Sequence, residues 1–102
     1  MDDDMKLILR LCQRATREKP ISNYELSVAI QASGTAVRRI IAELRELGYR
    51  VCSVSTGYFV ARNEAEYKEF RAYYMAKINK RLKRIYAMDN HVDSQTEMRL
   101  EC

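Results

Sequence analysis

Apolar residues recur at spacings of three and four near the start of the chain, where Met5, Ile8, Leu11, Cys12 and Ala15 share one helical face. This predicts a first helix over about 5–18, capped by Asp4 and ended by Lys19-Pro20, since a residue before proline is pushed out of the helical region. Ser22-Asn23-Tyr24-Glu25 then reads as a capping box, with Ile21 placed to staple onto Leu26. The second helix is expected over 23–30, burying Leu26, Ala29 and Ile30. Gln31-Ala32-Ser33 forms a short connection, and Ser33 caps a third helix over 34–47 that Gly48 terminates. Val37, Ile40, Ile41, Leu44 and Leu47 make its inward stripe; Thr35, Arg38, Ala42 and Arg45 lie opposite, with Arg39 and Glu46 flanking.

After Gly48 the period changes to two. Tyr49, Val51 and Ser53 alternate with Arg50, Cys52 and Val54, and Tyr58 and Val60 follow a Ser55-Thr56-Gly57 turn, which predicts a hairpin over 49–61 with Tyr49 and Tyr58 packed in it. Asn63 is placed to cap a further helix. From Glu64 to Met88 there is neither glycine nor proline, and Tyr67, Phe70, Tyr74, Ile78, Leu82 and Ile85 form a stripe at helical spacing. Such a helix is about 37 Å long, more than a small core covers by itself. Its distal half has no obvious partner within one chain, so the stripe is expected to form a homodimer or partner interface; a bent helix folded back on the core is the competing arrangement. The expected fold class is mainly α with a small β-hairpin. The expected division is a winged helix-turn-helix domain at 1–62, a long C-terminal helix at 63–90 and a flexible tail at 91–102.

The chain of 102 residues suits one domain, and 47% hydrophobic with 31% charged residues is globular rather than disordered composition. No run approaches the ~20 apolar residues of a membrane span. The opening MDDDMKLILRLCQR is the reverse of a secretory leader, which starts basic and continues apolar, so secretion is not expected. Cys12, Cys52 and Cys102 are odd in number and lack metal-ligand spacing, which suits a reduced cytoplasm rather than a disulfide framework or zinc site. Cys102 is expected to be a free thiol, and the lone His91 inert. Phosphate-binding glycine loops, GxSxG, HExxH and Cys/His pairs at catalytic spacing are missing from the sequence, so neither an enzyme nor a cofactor is expected.

The net charge of +4 and pI near 9.1 lean towards polyanionic partners. Position is more informative than the total. Two helices joined by a tight turn hold the second proud of the surface, where it can enter a major groove about 12 Å wide while the hairpin lies beside it as a wing. Double-stranded DNA is therefore the expected partner. Ser33, Thr35, Arg38 and Arg39 supply donors for bases and phosphates, and the amides around Gly34 and Thr35 form a phosphate site. Arg45, Arg50 and Arg62 are candidates for backbone phosphates.

Residues 19–62 resemble the winged-helix domain at the N-terminus of biotin-repressor-type regulators. The resemblance is carried by Ser33-x-Thr35-Ala36-Val37, by Ile41-x-x-Leu44-Arg45-x-x-Gly48-Tyr49, and by Ser53 with Gly57-Tyr58; with the first helix it covers about 60 residues. It implies that the third helix reads DNA and that Ser33, Thr35, Arg38 and Arg39 are the contact positions. Gln31 stands where that family usually has a turn glycine, and Gly34 where it often has a polar or basic residue. Nothing after residue 63 resembles a ligase domain, so no ligase activity is expected. A winged helix with one long tail helix is also similar to small bacterial and phage regulators.

The expected function is thus a sequence-specific DNA-binding regulator, of transcription or of replication and recombination. The alternative is a protein-interaction module, such as a phage-encoded inhibitor of a host nucleic-acid enzyme. In that case the winged helix is scaffold and the long basic-aromatic helix, with Lys77, Lys80, Arg81, Lys83 and Arg84, docks onto the host protein.

Overall fold

The computed structural model describes residues 1–90, so the expected flexible tail with His91 and Cys102 lies outside the described residues. The element order is α1 (Asp3–Arg14), α2 (Asn23–Ile30), α3 (Gly34–Glu46), β1 (Val51–Val54), β2 (Gly57–Val60) and α4 (Glu64–Asn90). This is a winged helix-turn-helix followed by a long helix. The chain forms two compact units, Met1–Phe70 and the part from Arg71 onward.

In the first unit, α1 begins earlier than expected because Asp2, not Asp4, is its cap: Asp2 Oδ1 accepts from the Met5 amide at 2.8 Å. It also ends earlier. Thr16 accepts the Lys19 amide on its hydroxyl at 3.0 Å and closes a turn, so the backbone leaves the helix at Ala15, before the Lys19-Pro20 boundary. The inner face carries Met5, Ile8, Leu9 and Cys12. α2 starts where the capping box places it, with Ser22 Oγ accepting the Glu25 amide at 3.0 Å. Leu26 is its one buried residue; Ala29, expected inside, is exposed, and Ile30 is half-buried. A helix this short turns only a narrow stripe inward.

α3 buries Val37, Ile40, Ile41 and Leu44, whereas Leu47, expected to continue the stripe, is 61% exposed. The reason is the helix end. The Gly48 amide donates to Arg45 O and the Tyr49 amide to Leu44 O, the paired bonds of a Schellman motif, with Gly48 at φ +99. Gly48 thus ends the helix where expected, and the chain reversal leaves Leu47 and Tyr49 outside the core.

The hairpin is shorter than the expected 49–61. Val51 pairs with Val60, Cys52 with Phe59, Ser53 with Tyr58 and Val54 with Gly57, leaving a two-residue turn at Ser55-Thr56. Ile21 adds a third segment: its amide donates to Tyr58 O at 2.9 Å and its carbonyl accepts from the Tyr58 amide at 2.8 Å. It therefore serves as a strand residue, and its side chain packs against the core cluster that holds Leu26. A Cβ on Gly57 would fall inside the Ile21 carbonyl, so glycine is required for this crossing.

Ile8, Leu26, Val37, Ile41, Leu44 and Val51 form the centre of the core, each worth about 1.5–3 kcal/mol on burial. Cys52 and Phe59 are buried on the other face of the hairpin. Asn63 caps α4 as expected, its Oδ1 accepting from the Glu66 amide at 2.9 Å. In the second unit, residues 71–90 continue that helix with every residue exposed.

Candidate nucleic-acid interface

The turn between α2 and α3 sets which side chains α3 can present. Gln31 ends α2 in the left-handed region, at φ 54 and ψ 47. Its amide donates to Val28 O, and the Ala32 amide donates to Ser27 O at 3.0 Å. Glutamine holds this conformation at a steric cost of about 1 kcal/mol relative to glycine. Two residues later Ser33 Oγ accepts the Ala36 amide at 3.1 Å and starts α3. The first-turn amides of Gly34 and Thr35 precede any intrahelical acceptor. α3 is the one described helix whose first turn carries no acid: Asp3 and Asp4, Glu25, and Glu64 and Glu66 occupy that turn in the others.

Gly34 is fixed by packing. The Asn23 side chain at the start of α2 donates through Nδ2 to Gly34 O at 3.2 Å, and a Cβ at position 34 would clash with Asn23 Oδ1. A larger residue here would have to displace the Asn23 side chain from its bond to the Gly34 carbonyl. The role of Asn23 was not expected from the sequence, because a side chain reaching eleven residues forward has no local signature.

Thr35, Arg38 and Arg39 are exposed on the outer side of α3, and Ser33 is exposed at its cap. Arg38 donates to Thr35 Oγ1 at 3.2 Å, which holds the guanidinium along the helix beside the open first turn. Ser33, Gly34, Thr35 and Arg38 thus lie together at one end of α3, and Arg39 is adjacent. Neither Arg38 nor Arg39 forms an ion pair with another described residue.

The other three arginines are engaged within the chain. Arg45 donates through Nε to Val51 O at 2.8 Å, and its guanidinium lies 5.2 Å from the centroid of Phe70. Arg50 pairs with Glu64 and sits 4.0 Å over the Tyr67 ring, a cation–π contact. Arg62 donates to Glu66 at 2.6 Å and to Glu18 at 3.2 Å, while Arg17 donates to Glu69 at 2.7 Å. These contacts bind the first two turns of α4 to the hairpin and to the segment after α1. They also show in the acid–base equilibria. The side-chain hydrogen bond from Arg62, then that residue's amide, holds Glu66 below the ordinary carboxylate range. Arg50 does the same to Glu64, and Glu18 is lowered first by its backbone amide and then by Arg62. Such pairs join residues 44 and 52 positions apart, so no local pattern announces them.

Of the proposed interface stripe, Tyr67 and Phe70 are half-buried in the first unit. Tyr74, Ile78, Leu82 and Ile85 are between 38% and 46% exposed in the second, and Lys77 lies 4.5 Å over the ring of Tyr73. Among the described residues no group of three His, Cys, Asp or Glu is placed to hold a metal ion, and no helix is long and apolar enough to cross a membrane. The Cys12 thiol is pushed up to about 12 by burial, and burial also raises Cys52. No known protein-family model matches the chain, and no curated protein matches it.

Proposed function

We propose that the protein is a sequence-specific DNA-binding regulator of the biotin-repressor-type winged-helix kind that reads the major groove with the first half of α3. The observation that carries this reading is the start of α3. There an acid-free helix start, the Ser33 and Thr35 hydroxyls, and two arginines without an opposite charge converge on one exposed corner. Amides and hydroxyls at a helix start suit phosphate, and arginine suits the O6/N7 edge of guanine. The hairpin is the wing.

Phosphate contact by Arg45, Arg50 and Arg62 competes with their partners inside the chain, so affinity rests chiefly on Arg38, Arg39 and the first-turn amides. On this reading the protein acts in the cytoplasm as a homodimer on a palindromic site. Its test is fluorescence anisotropy of Arg38→Ala on the duplex flanking its own gene and on a scrambled duplex. Discrimination between them is expected to fall by about 1–3 kcal/mol, and unchanged discrimination would remove Arg38 from base reading.

One observation favours a second reading, a module that docks on another protein. Tyr73, Ile85, Tyr86 and Met88 are 46–58% exposed beside the lysines and arginines of the same helix. Capture of an acidic protein partner that is lost on changing these residues, with no DNA discrimination, would select it.

A further inference from the structure

Residues 71–90 of α4 contain a single acid, Asp89, among Arg71, Lys77, Lys80, Arg81, Lys83 and Arg84. Arg71 and Asp89 are separated by eighteen residues, which is five full turns, so they stand on one line along the helix about 27 Å apart. That line runs through the apolar stripe. Ile78, Leu82, Met75 and Ile85 lie within about 40° of it on either side, and Lys77, Lys80, Lys83 and Arg84 fall on the far side.

Both charges are unmatched within the helix. The residues three and four positions from Arg71 are Tyr67, Lys68, Tyr74 and Met75, and those preceding Asp89 are Ile85 and Tyr86. Neither Arg71 nor Asp89 forms an ion pair with another described residue. A surface that covers this stripe must therefore meet a cation at one end and an anion at the other, or leave each charge desolvated and unpaired.

We propose that α4 pairs antiparallel with α4 of a second copy, in a register centred on Lys80, with Arg71 facing the partner's Asp89 and Asp89 facing the partner's Arg71. This rests on the self-association part of the proposed function and not on DNA binding. The same register levels Ile78 with the partner's Leu82, Met75 with the partner's Ile85 and Tyr74 with the partner's Tyr86, so apolar residues meet apolar residues along the stripe. A parallel pair sets arginine against arginine and aspartate against aspartate. Lys80, at the centre, points away from the contact, so the two-fold axis does not oppose two lysines. A uniformly acidic partner would satisfy Arg71 and repel Asp89; a second copy satisfies both.

The test is sedimentation equilibrium of the full chain without DNA. The wild type is expected to dimerise, and Leu82→Glu to be monomeric with its far-UV helix signal kept. Arg71→Glu and Asp89→Arg should each weaken the dimer about tenfold, because each reversal acts at two symmetry-related contacts. The double variant should recover to within about threefold of wild type. A wild-type monomer at every soluble concentration overturns the proposal, and so do single reversals without effect, the result for a parallel pair. A monomer that still discriminates its own duplex sinks the pairing alone; a charge-dependent dimer with no DNA discrimination sustains the pairing and counts against the DNA reading.

Discussion

The Arg45 side chain donates through Nε to the carbonyl oxygen of Val51 over 2.8 Å, tying the last turn of α3 to the first residue of the wing. Its guanidinium also packs against Phe70. Arg45→Ala is therefore expected to lower stability by about 1–2 kcal/mol in urea titration, since it removes a charge-assisted bond to a half-buried carbonyl. Arg39→Ala, on the open side of α3, should stay within about 0.5 kcal/mol. Equal effects would mean that Arg45 does not join the two elements.

Gln31 holds a left-handed conformation that glycine adopts without a Cβ penalty. Gln31→Gly should raise the urea midpoint, with a net gain of about 0.5–1 kcal/mol after the greater chain entropy of glycine is set against the relieved strain. A loss of stability would show that the glutamine side chain contributes more at this turn than its backbone strain costs.

Glu18, Glu64 and Glu66 all have carboxyls held below their ordinary range in the folded state. A depressed folded-state value means that the stabilisation is present above the unfolded carboxylate value and is lost as pH falls through the folded one. The urea midpoint should be level near neutrality and decline below about pH 4.5. Glu66→Gln, which removes the acid bound by Arg62, should flatten that decline. The same slope in wild type and variant would take these pairs out of the acid response.

Cys12 and Cys52 are fully buried, and burial disfavours both thiolates. With Cys102 changed to serine, the native protein should show no fast thiol towards a disulfide reagent, and two on unfolding. A fast native thiol would indicate that the core opens locally at low cost.

The starts of α2, α3 and α4 were legible because their signals are local, whereas three successive aspartates left the cap of α1 open to misplacement, at Asp4 instead of Asp2. Ser22, Ser33 and Asn63 each cap the element expected of them, and the inner stripe of α3 follows from spacing alone. Element ends were less legible. Gly48 stops α3 as expected, but the Thr16 turn shortens α1 and the last position of the α3 stripe, Leu47, is turned out by the Schellman closure, which periodicity does not register. The candidate site was legible in its exposed residues, Thr35, Arg38 and Arg39. What supports it was not, because Asn23 under Gly34 and the arginine–glutamate pairs at the start of α4 arise only when distant segments meet.

The most direct test of the central claim is the anisotropy of the wild-type protein on its own flanking duplex and on a scrambled duplex of equal composition, across a salt series. Specific reading by α3 predicts tighter binding to the flanking duplex by at least about a thousandfold, with affinity for both falling as salt rises. Equal, weak affinity for both duplexes at every salt concentration would contradict it.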